Sequence, residues 1–395
     1  MIEFTRLIRD KVRTLVDGYP VFILTGARQT GKTTLLKKTF PSFSYITLDL
    51  PSLAELAESD PESFLAQYPA PLLIDAAQYA PKLFRHLKLV VDKHPHLKGQ
   101  YILTGSQKFN LMKDVGESLA GRCAWAELEG LSMAELNTVS KFETIESYTH
   151  MMFRGTMPKL WQQPELSPTD YYRSYMATYL ERDVRQLVNI GSLRDFERFM
   201  RICATRSGQL LNKSNIAKSV GISINTVNQW LSVLIASNQI HLLEPHFINL
   251  GKRLVKSPKL YFANPGLLCF LLGVDQSSLL NTPYIGHIWE TLVYSELRKY
   301  QLNQTSNAKL WFYRDNANRE VDFIWEEHGK LDFIEVKWSQ APKVSDTKNL
   351  QAILEDTQKN TSILSGQPYI ICRTPSSYKI KDTHICQIHS FLQRP

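Results

Sequence analysis

The residues best suited to chemistry lie in a glycine-rich segment between an apolar run at 21–24 and a helix-prone stretch at 34–38. The segment fits the pattern G-x-x-x-x-G-K-[ST], in which the glycines let backbone N–H groups curl around phosphate oxygens. We expect Lys32 to reach the β- and γ-phosphates of a nucleotide and the Thr33 hydroxyl to bind Mg²⁺. A chance Gly-Lys turn is the alternative, but strand, loop and helix follow in the order that the motif requires. The predicted phosphate-binding residues are Gly26, Ala27, Arg28, Gln29, Thr30, Gly31, Lys32, Thr33 and Thr34.

Two further apolar runs end in polar residues that suit the same site. The run at 71–75 ends in Asp75, and P-loop ATPases hold the Mg²⁺ shell with an acid at this place. The run at 101–106 brings in Thr104 and Ser106, either of which could sense a γ-phosphate through its hydroxyl. Strands that alternate with helices at this spacing predict a parallel α/β sheet with ligands at the carboxyl ends of its strands.

A second group of chemistry-bearing residues lies near the C-terminus. Glu290 lies on a predicted helix and Asp322 on a predicted strand, and Glu335 and Lys337 share one face of the following strand. The set resembles the PD-(D/E)XK nuclease site, whose acids hold one or two Mg²⁺ ions and whose lysine positions or deprotonates water and stabilises charge. The resemblance implies metal ligation by Glu290, Asp322 and Glu335, and catalysis by Glu335 and Lys337. The alternative is a solvated amphipathic strand.

The segment 212–234 has a helix-turn-helix pattern, with Ser223 as the predicted N-cap of the second helix. Ile224, Val227, Leu231 and Leu234 form the predicted apolar face of that helix. Predicted strands at 239–243 and 259–262 can pair as a hairpin, which makes the region a predicted winged helix. The opposite helix face would reach base edges, while basic residues between the strands would contact phosphates. The predicted DNA contacts are Asn225, Asn228, Gln229, Lys252, Arg253 and Lys256. A winged helix that serves only as an interdomain spacer is the alternative.

The order of these motifs resembles a group of prokaryotic AAA-type ATPases that carry a C-terminal domain of the restriction-endonuclease-like superfamily. The likeness covers roughly residues 15–340, and the group is of largely unknown function. The matching segments are 26–34, Leu103-Thr104-Gly105-Ser106-Gln107, Leu119-Ala120-Gly121-Arg122, Tyr179-Leu180-Glu181-Arg182-Asp183, Lys256-Ser257-Pro258-Lys259-Leu260-Tyr261-Phe262 and Glu335-Val336-Lys337. The resemblance implies ATP and Mg²⁺ as cofactors and a homo-oligomer.

One residue departs from the group's pattern. The strand acid is normally followed as Asp-Glu-x-Gln, but here Ala76 follows Asp75. The missing carboxylate is the one that polarises the attacking water, and loss of a positioned base typically costs about 10²–10⁴ in rate. Two explanations stay open: a switch that binds ATP and turns it over slowly, or a glutamate deliberately replaced so that bound ATP is trapped.

Arg122 follows a predicted helix and precedes the predicted strand 124–128. The resemblance places an arginine finger here, which acts on the nucleotide of a neighbouring subunit and therefore requires an oligomer. The alternative is a structural salt bridge inside the subunit.

Positive charge is concentrated in one part of the chain. Residues 171–270 hold thirteen Lys/Arg and five Asp/Glu, so this block carries an excess equal to the net charge of +8. Such a block indicates a polyanion partner such as DNA, or else a solvated face balanced by other domains. Five widely spaced cysteines without metal-ligand spacing indicate reduced thiols. The chain lacks a secretory leader and a long apolar run, so we expect a cytoplasmic protein.

The expected architecture is α/β, with four parts. They are an AAA-type P-loop core at 1–130, a helical lid at 131–205, a winged helix at 206–265 and a nuclease-like α/β domain at 266–395. The leading hypothesis is an ATP-Mg²⁺-binding protein that acts on DNA, with branched DNA as one candidate form, and that carries a nuclease site. The competing hypothesis is a nucleotide-gated DNA- or protein-binding regulatory module without nuclease activity. A P-loop phosphoryl transferase is weaker, since nothing marks an acceptor site.

Overall fold

The computed structural model describes residues 2–106, 118–179, 184, 192–246, 256–315, 317–358 and 364–394. The chain divides into two compact units. The N-terminal unit comprises Glu3–Leu131 with Ala236–Asn238, and the C-terminal unit comprises Ser132–Ile235 and Gln239–Pro395 together with Met1–Ile2. Within the described ranges, every helix is too short or too polar to cross a bilayer. Lys252 and Arg253, two predicted DNA contacts, lie outside these ranges.

The N-terminal unit is built on a five-stranded sheet in which every pair of neighbours is parallel, in the order β2-β3-β4-β1-β5. This confirms the parallel α/β sheet that the sequence predicts. The P-loop strand β1 lies between β4 and β5, and the strand that ends in Asp75 is β3. The strands are β1 Val21–Thr25, β2 Ser44–Thr47, β3 Leu72–Asp75, β4 Tyr101–Gly105 and β5 Cys123–Glu127.

Alternation along β1 explains why this sheet is covered on both faces. Val21 and Ile23 pack into one apolar cluster with the helices after β2 and β3, while Phe22 and Leu24 pack into another with the first two helices. All five β1 residues are buried, as expected for a central parallel strand. The helices are α1 Arg9–Gly18, α2 Lys32–Thr39, α3 Pro51–Ser59, α4 Pro61–Gln67 and α5 Pro81–Lys93.

Two predicted helices of this unit differ from those observed. The sequence predicts an amphipathic helix over 4–15, but the observed helix begins only at Arg9, because the residues before it run toward the P-loop, where the Arg6 side chain hydrogen-bonds to the backbone. The sequence also predicts one helical region over 53–65, where the structure has two helices. Pro61 starts the second one, and the Asp60 carboxylate accepts from the Ser63 N–H as its N-cap.

The C-terminal unit begins with helices and contains the predicted helix-turn-helix. Its helices are α6 Met133–Leu136, α7 Ile145–Arg154, α8 Pro158–Gln162, α9 Pro168–Tyr179, α10 Leu193–Ala204, α11 Lys213–Val220, α12 Ile224–Ala236, α13 Pro265–Leu272, α14 Ile285–Asn303, α15 Lys348–Gln358 and α16 Ile388–Leu392. Gly221 ends α11 in the left-handed region at φ 85°, and the Ser223 hydroxyl accepts from the Thr226 N–H at 3.0 Å. The helix boundary at Ser223 is therefore the predicted one.

Two sheets complete the C-terminal unit. A three-stranded sheet has the order β6-β8-β7, and the pairing of β7 with β8 is antiparallel, as the predicted hairpin requires. A six-stranded mixed sheet has the order β13-β14-β12-β11-β10-β9. The strands are β6 Gln209–Leu210, β7 Ile240–Leu243, β8 Lys259–Phe262, β9 Lys309–Arg314, β10 Glu320–Glu327, β11 Lys330–Val336, β12 Leu364–Ile371, β13 Tyr378–Ile380 and β14 Thr383–Cys386.

Candidate functional site

The P-loop joins the carboxyl end of β1 to the start of α2. Gly26 and Gly31 have φ values of 151° and 92°, and Gln29 also has a positive φ of 63°. A Cβ on Gly26 would lie 2.0 Å from the Leu128 carbonyl oxygen, so only glycine fits there. The Lys32 ammonium is buried and donates to the Gly26 and Ala27 carbonyl oxygens at 2.9 and 2.8 Å. The predicted loop and its lysine are therefore together at the edge of the sheet where α/β folds bind ligands.

The two predicted Mg²⁺ ligands of the nucleotide site meet directly. The Thr33 hydroxyl donates to Asp75 Oδ2 at 2.7 Å, although the two residues are 42 positions apart. Asp75 Oδ1 accepts from the Ala76 N–H at 2.9 Å, which fixes the orientation of the carboxylate. Mg²⁺ in nucleotide sites keeps several waters and phosphate oxygens and needs only one or two protein oxygens. The Thr33 and Asp75 pair therefore fits that ion.

The predicted γ-phosphate sensor is on the adjacent strand. Thr104 lies opposite Asp75 in the register of β3 and β4. Among the described residues its buried hydroxyl has no hydrogen-bond partner, whereas Ser106 is 9% exposed just beyond the strand. A buried hydroxyl left without a partner costs free energy, so Thr104 would gain from a hydrogen bond to a ligand, and Ser106 stays the other candidate.

Ala76, which stands where the resembling group has glutamate, has an unusual backbone. It lies in the left-handed region at φ 58° and ψ 38°, is 6% exposed, and precedes a short 3-10 helix over Ala77–Tyr79. The buried Gln78 Oε1 nearby has no partner within the described chain. Because alanine already places a Cβ in this conformation, glutamate at position 76 would add no new backbone strain.

Two residues of this site carry no motif and were not predicted. Arg6 donates to the Thr30 carbonyl oxygen at 2.7 Å and to the Glu129 carbonyl oxygen at 2.7 Å, which ties the P-loop to the end of β5. The Tyr45 hydroxyl donates to Asp75 Oδ2 at 3.2 Å, and burial together with Asp75 raises the pKa of Tyr45. Arg6 and Tyr45 come from separate parts of the chain, so no local spacing could have indicated them.

Arg122 lies at the opposite end of the strands from the P-loop. Its carbonyl oxygen accepts from the Val21 N–H at the start of β1, and its guanidinium binds Asp92, with 3.0 Å between Nη2 and Oδ2. This hydrogen bond lowers the pKa of Asp92 and raises that of Arg122. Arg122 is therefore placed too far along the sheet to serve the nucleotide of its own subunit, and the intrasubunit salt bridge considered as the alternative is formed.

The second helix of the helix-turn-helix, α12, exposes the predicted polar face. Asn225 and Gln229 are exposed and Asn228 is half-buried. Trp230 packs against Phe196 and Phe199 of α10, with ring centroids 5.2 and 5.4 Å apart. The predicted apolar face holds for Val227, Leu231 and Leu234, which are buried, but Ile224 is 48% exposed because it lies at the start of the helix, beyond the packed region. Lys256 is exposed before β8.

The carboxylates predicted near the C-terminus also converge. We call Glu290, Glu320, Asp322 and Glu335 the carboxylate cluster. Asp322 Oδ2 accepts from the Val336 N–H at 2.8 Å, which fastens β10 to the end of β11. Lys337 donates to Glu335 Oε1 at 2.7 Å, while Glu335 Oε2 is buried without a partner in the described part of the chain. Glu290 is joined to this group through a buried lysine of β8.

That residue is Lys259, the first residue of β8. Its side chain is only 2% exposed, and its ammonium lies 3.4 Å from Glu290 Oε1, 3.5 Å from Asp322 Oδ1 and 2.5 Å from Glu320 Oε1. Lys259 was counted in the basic block as a candidate for polyanion binding, but its charge is internal. The clue in the sequence was weak: a lone lysine between apolar residues in a predicted strand.

The cluster shifts the acidity of its members. Burial raises the pKa of Glu290 to about 7 against the opposing effect of Lys259. Burial and Asp322 raise the pKa of Glu335 to about 8, although Lys337 acts in the other direction. Burial alone would lower the pKa of Lys259, but Glu290, Asp322 and Glu320 outweigh it and raise that pKa. The lysine is therefore charged at neutral pH.

Lys259 limits which metal arrangement fits this cluster. Two carboxylate oxygens bound to one Mg²⁺ at 2.0–2.1 Å lie about 3–4 Å apart, around the volume that the ammonium fills between Glu290 and Asp322. While Lys259 holds this position, its ammonium occupies the place that a divalent ion held jointly by Glu290 and Asp322 would need. Glu335 Oε2, which has no hydrogen-bond partner within the described residues, is one oxygen of the cluster that a ligand could still use.

Comparisons with protein families divide the chain into three matched regions. Residues 18–137 match the model of a family described as AAA domain. Residues 145–278 and 285–391 match two families described only as domains of unknown function. The first match and the geometry of the loop together support an AAA-type P-loop ATPase domain. A domain of this type implies nucleotide binding.

The chain is also similar to uncharacterized proteins and, weakly, to solved structures. It is 29% identical over 351 residues to an uncharacterized protein of Mycobacterium tuberculosis, covering 88% of this chain and 76% of the relative. An uncharacterized protein of Methanocaldococcus jannaschii is 23% identical over 273 residues, covering 64% and 59%. A variant of RuvB from Thermotoga maritima aligns at 15% identity and a TM-score of 0.31, covering 59% of this chain and 88% of that one. AMPPCP-bound DnaA from Aquifex aeolicus aligns at 13% and 0.29, covering 58% and 86%. TM-scores this low support no inference.

Proposed function

We propose that this chain binds ATP with Mg²⁺ at its AAA-type P-loop, hydrolyses it slowly, and uses the nucleotide to control its action on DNA. One observation carries the proposal. Thr33 and Asp75, the two residues expected to hold the ion, are hydrogen-bonded at 2.7 Å beside a loop with the backbone geometry of a phosphate cradle. Mg²⁺ in such a site neutralises charge on the phosphates.

Different groups of the nucleotide site would make different contacts with the phosphates. Backbone N–H groups of the segment 26–31 would cradle the phosphates, since the glycines permit their close approach. Lys32 would exchange its two carbonyl acceptors for the β- and γ-phosphates. Arg6 holds the Thr30 carbonyl oxygen and so keeps the loop in this form. Thr104, whose hydroxyl has no partner among the residues described, or Ser106 would bind the γ-phosphate through its hydroxyl.

Slow hydrolysis follows from Ala76. Binding uses the loop, Thr33 and Asp75, all of which are in place, whereas activation of water needs a base next to the γ-phosphate. Alanine cannot take a proton. We therefore expect bound ATP to persist long enough for the protein to act as a switch.

A titration with ATP tests the binding claim. Lys32→Ala removes the charge that faces the β- and γ-phosphates, so ATP affinity should fall below detection. Lys38→Ala is the matched control, because Lys38 is an exposed lysine of the same helix that pairs with Glu3, and it should bind like the parent. Unchanged affinity in Lys32→Ala would remove the P-loop assignment.

The proposed partners are DNA and further copies of this chain, within the cytoplasm. Asn225, Asn228 and Gln229 on α12 and the exposed Lys256 supply base-reading and phosphate-binding groups of the proposed winged helix. Arg122, at the end of the sheet away from its own P-loop, would act on the nucleotide of a neighbouring subunit after release from Asp92.

A Mg²⁺-dependent nuclease is the second candidate function. The convergence of Glu290, Asp322, Glu335 and Lys337 favours it, since these residue types are those of the PD-(D/E)XK site. Lys259 counts against an ion shared by Glu290 and Asp322 and favours the competing hypothesis, a nucleotide-gated regulatory module without nuclease activity.

Cleavage assays on several DNA forms with Mg²⁺ separate the two candidates. If the site is active, Glu335→Ala should abolish cleavage while ATP binding is unchanged, because the two sites are built from different residues. Glu327→Ala, at the far end of the neighbouring strand, is the control and should cut normally. Cleavage by Glu335→Ala at the parent rate would mean that the acids are structural.

A further inference from the structure

Lys259 occupies the centre of the carboxylate cluster rather than its rim. Its ammonium is within 3.5 Å of oxygens from Glu290, Glu320 and Asp322, which come from one helix and one strand of the C-terminal unit. The ammonium group can donate three hydrogen bonds, and three carboxylates surround it. The residue is therefore built into the cluster as its counter-charge.

The strand that carries Lys259 fixes its position. β8 is the middle strand of its sheet, where Lys259 pairs with Leu243 on one side and Leu210 on the other. Tyr261 lies two residues further along and therefore points to the same face, and its hydroxyl donates to Glu290 Oε1 at 2.5 Å. Two side chains of one strand thus hold the same carboxylate.

Gly208 lies beside the Glu290 carboxylate. Gly208, in the turn before β6, has a φ of 78°, and a Cβ there would lie 3.3 Å from Glu290 Oε2. Its N–H donates to the Leu260 carbonyl oxygen at 2.7 Å, which holds the turn against β8. A divalent ion held between Glu290 and Asp322 would have to displace the ammonium.

Removal of the lysine would leave the charge of the carboxylate cluster unbalanced. Buried carboxylates need a cation, and removing one partner of a buried pair leaves the other uncompensated. If the lysine were absent, Glu290, Glu320 and Asp322 would offer several oxygens around one small volume, which is the arrangement that a hard divalent cation prefers.

We propose that the Lys259 ammonium is the resident cation of the carboxylate cluster, so that Glu290 binds no metal in this protein and the cluster becomes a divalent-cation site only when that ammonium is removed. The inference bears on the second candidate function alone. Nucleotide binding is a separate matter, since it uses the N-terminal unit.

Mn²⁺ binding to the nucleotide-free full chain, followed by electron paramagnetic resonance, tests the proposal. In the parent protein Glu290→Gln should leave Mn²⁺ affinity unchanged. Lys259→Met should gain at least about tenfold in affinity, and the double variant Lys259→Met/Glu290→Gln should lose that gain. Lys330→Met, an exposed lysine at the start of β11, is the matched control and should behave like the parent.

The opposite results would overturn the proposal. They are a tenfold or larger loss of Mn²⁺ affinity on Glu290→Gln in the parent background, or a folded Lys259→Met that binds Mn²⁺ no better than the parent. Should Lys259→Met fail to fold even with Mn²⁺, the comparison of the parent with Glu290→Gln still decides. ATP affinity measured on the same samples reports separately on the P-loop, so failure of one claim is distinguishable from failure of the other.

Discussion

At the scale of single residues, the nucleotide site depends on how closely backbones approach one another. Gly26 has a φ of 151°, and its α-carbon lies against the Leu128 carbonyl group, whose residue is held to β1 through its own N–H on the Thr25 carbonyl oxygen at 2.8 Å. Neither partner can move without breaking the pairing at the end of the sheet. The first P-loop glycine is thus required by packing as well as by phosphate binding.

This makes Gly26→Ala a sharp test of the loop. We expect a loss of about 1–3 kcal/mol in unfolding free energy and weaker ATP binding, because the new Cβ meets a backbone atom. Gly18→Ala is the matched control, since nothing lies within 4 Å of a Cβ there, and its stability should change by no more than about 1 kcal/mol. Thermal unfolding and an ATP titration measure both effects. Equal behaviour of the two variants would contradict the packing argument.

Motif residues were predictable at this scale, and their partners were not. Thr33 and Asp75 follow from patterns of a few residues each, and they meet as expected. Arg6 and Lys259 reach their sites across 24 and 31 or more positions, and their own neighbours in the sequence give little sign of it. Contacts of this kind depend on how the elements pack, so they became visible only in the folded chain.

At the scale of elements, strands were predicted better than helix ends. The buried strands of the first sheet are short apolar runs with clear boundaries, and the strand that ends in Asp75 was located to within one residue. The helix ends depended on finer signals, such as Asp60 acting as a cap before Pro61. The turn between α11 and α12 was located correctly, because glycine in the left-handed region and a serine cap are strong local signals.

The exposed face of α12 leads to a prediction on DNA. If this helix reads bases, Asn225→Ala with Gln229→Ala should reduce discrimination between sequences, at about 1–3 kcal/mol for each lost pair of hydrogen bonds. Lys256→Ala should instead weaken binding to all sequences and reduce the log–log salt slope by about 0.9 on duplex DNA. Ser214→Ala, at an exposed residue of α11, is the control and should bind DNA like the parent.

Fluorescence anisotropy at several salt concentrations measures these effects. Affinity that does not depend on salt, or no binding at low salt, would remove DNA from the proposed partners.

At the scale of the whole molecule, folding reduces the positive charge of residues 171–270 that a partner can reach. The concentration of positive charge in residues 171–270 was read from composition, but Lys259 neutralises internal carboxylates and Arg201 pairs with Glu197 on α10. A count of charges in the sequence therefore overstates what a polyanion can reach. The count could not separate internal from external charges, because that distinction exists only after folding.

The central claim concerns the first unit of the chain: it binds ATP and lacks only the base for hydrolysis. Ala76→Glu supplies that base at a position whose backbone already accommodates a Cβ in the left-handed region. If Arg122 reaches the neighbouring subunit, the assembled protein then has both parts that the proposed reaction needs. Arg122→Ala in the Ala76→Glu background should reverse the gain, while ATP affinity stays the same in all forms.

Steady-state ATP hydrolysis by the assembled parent protein and by Ala76→Glu is the most direct measurement. The account predicts that the parent retains bound ATP with turnover near background, and that Ala76→Glu raises turnover by about 10²-fold or more. A parent protein that hydrolyses ATP as fast as Ala76→Glu would contradict it.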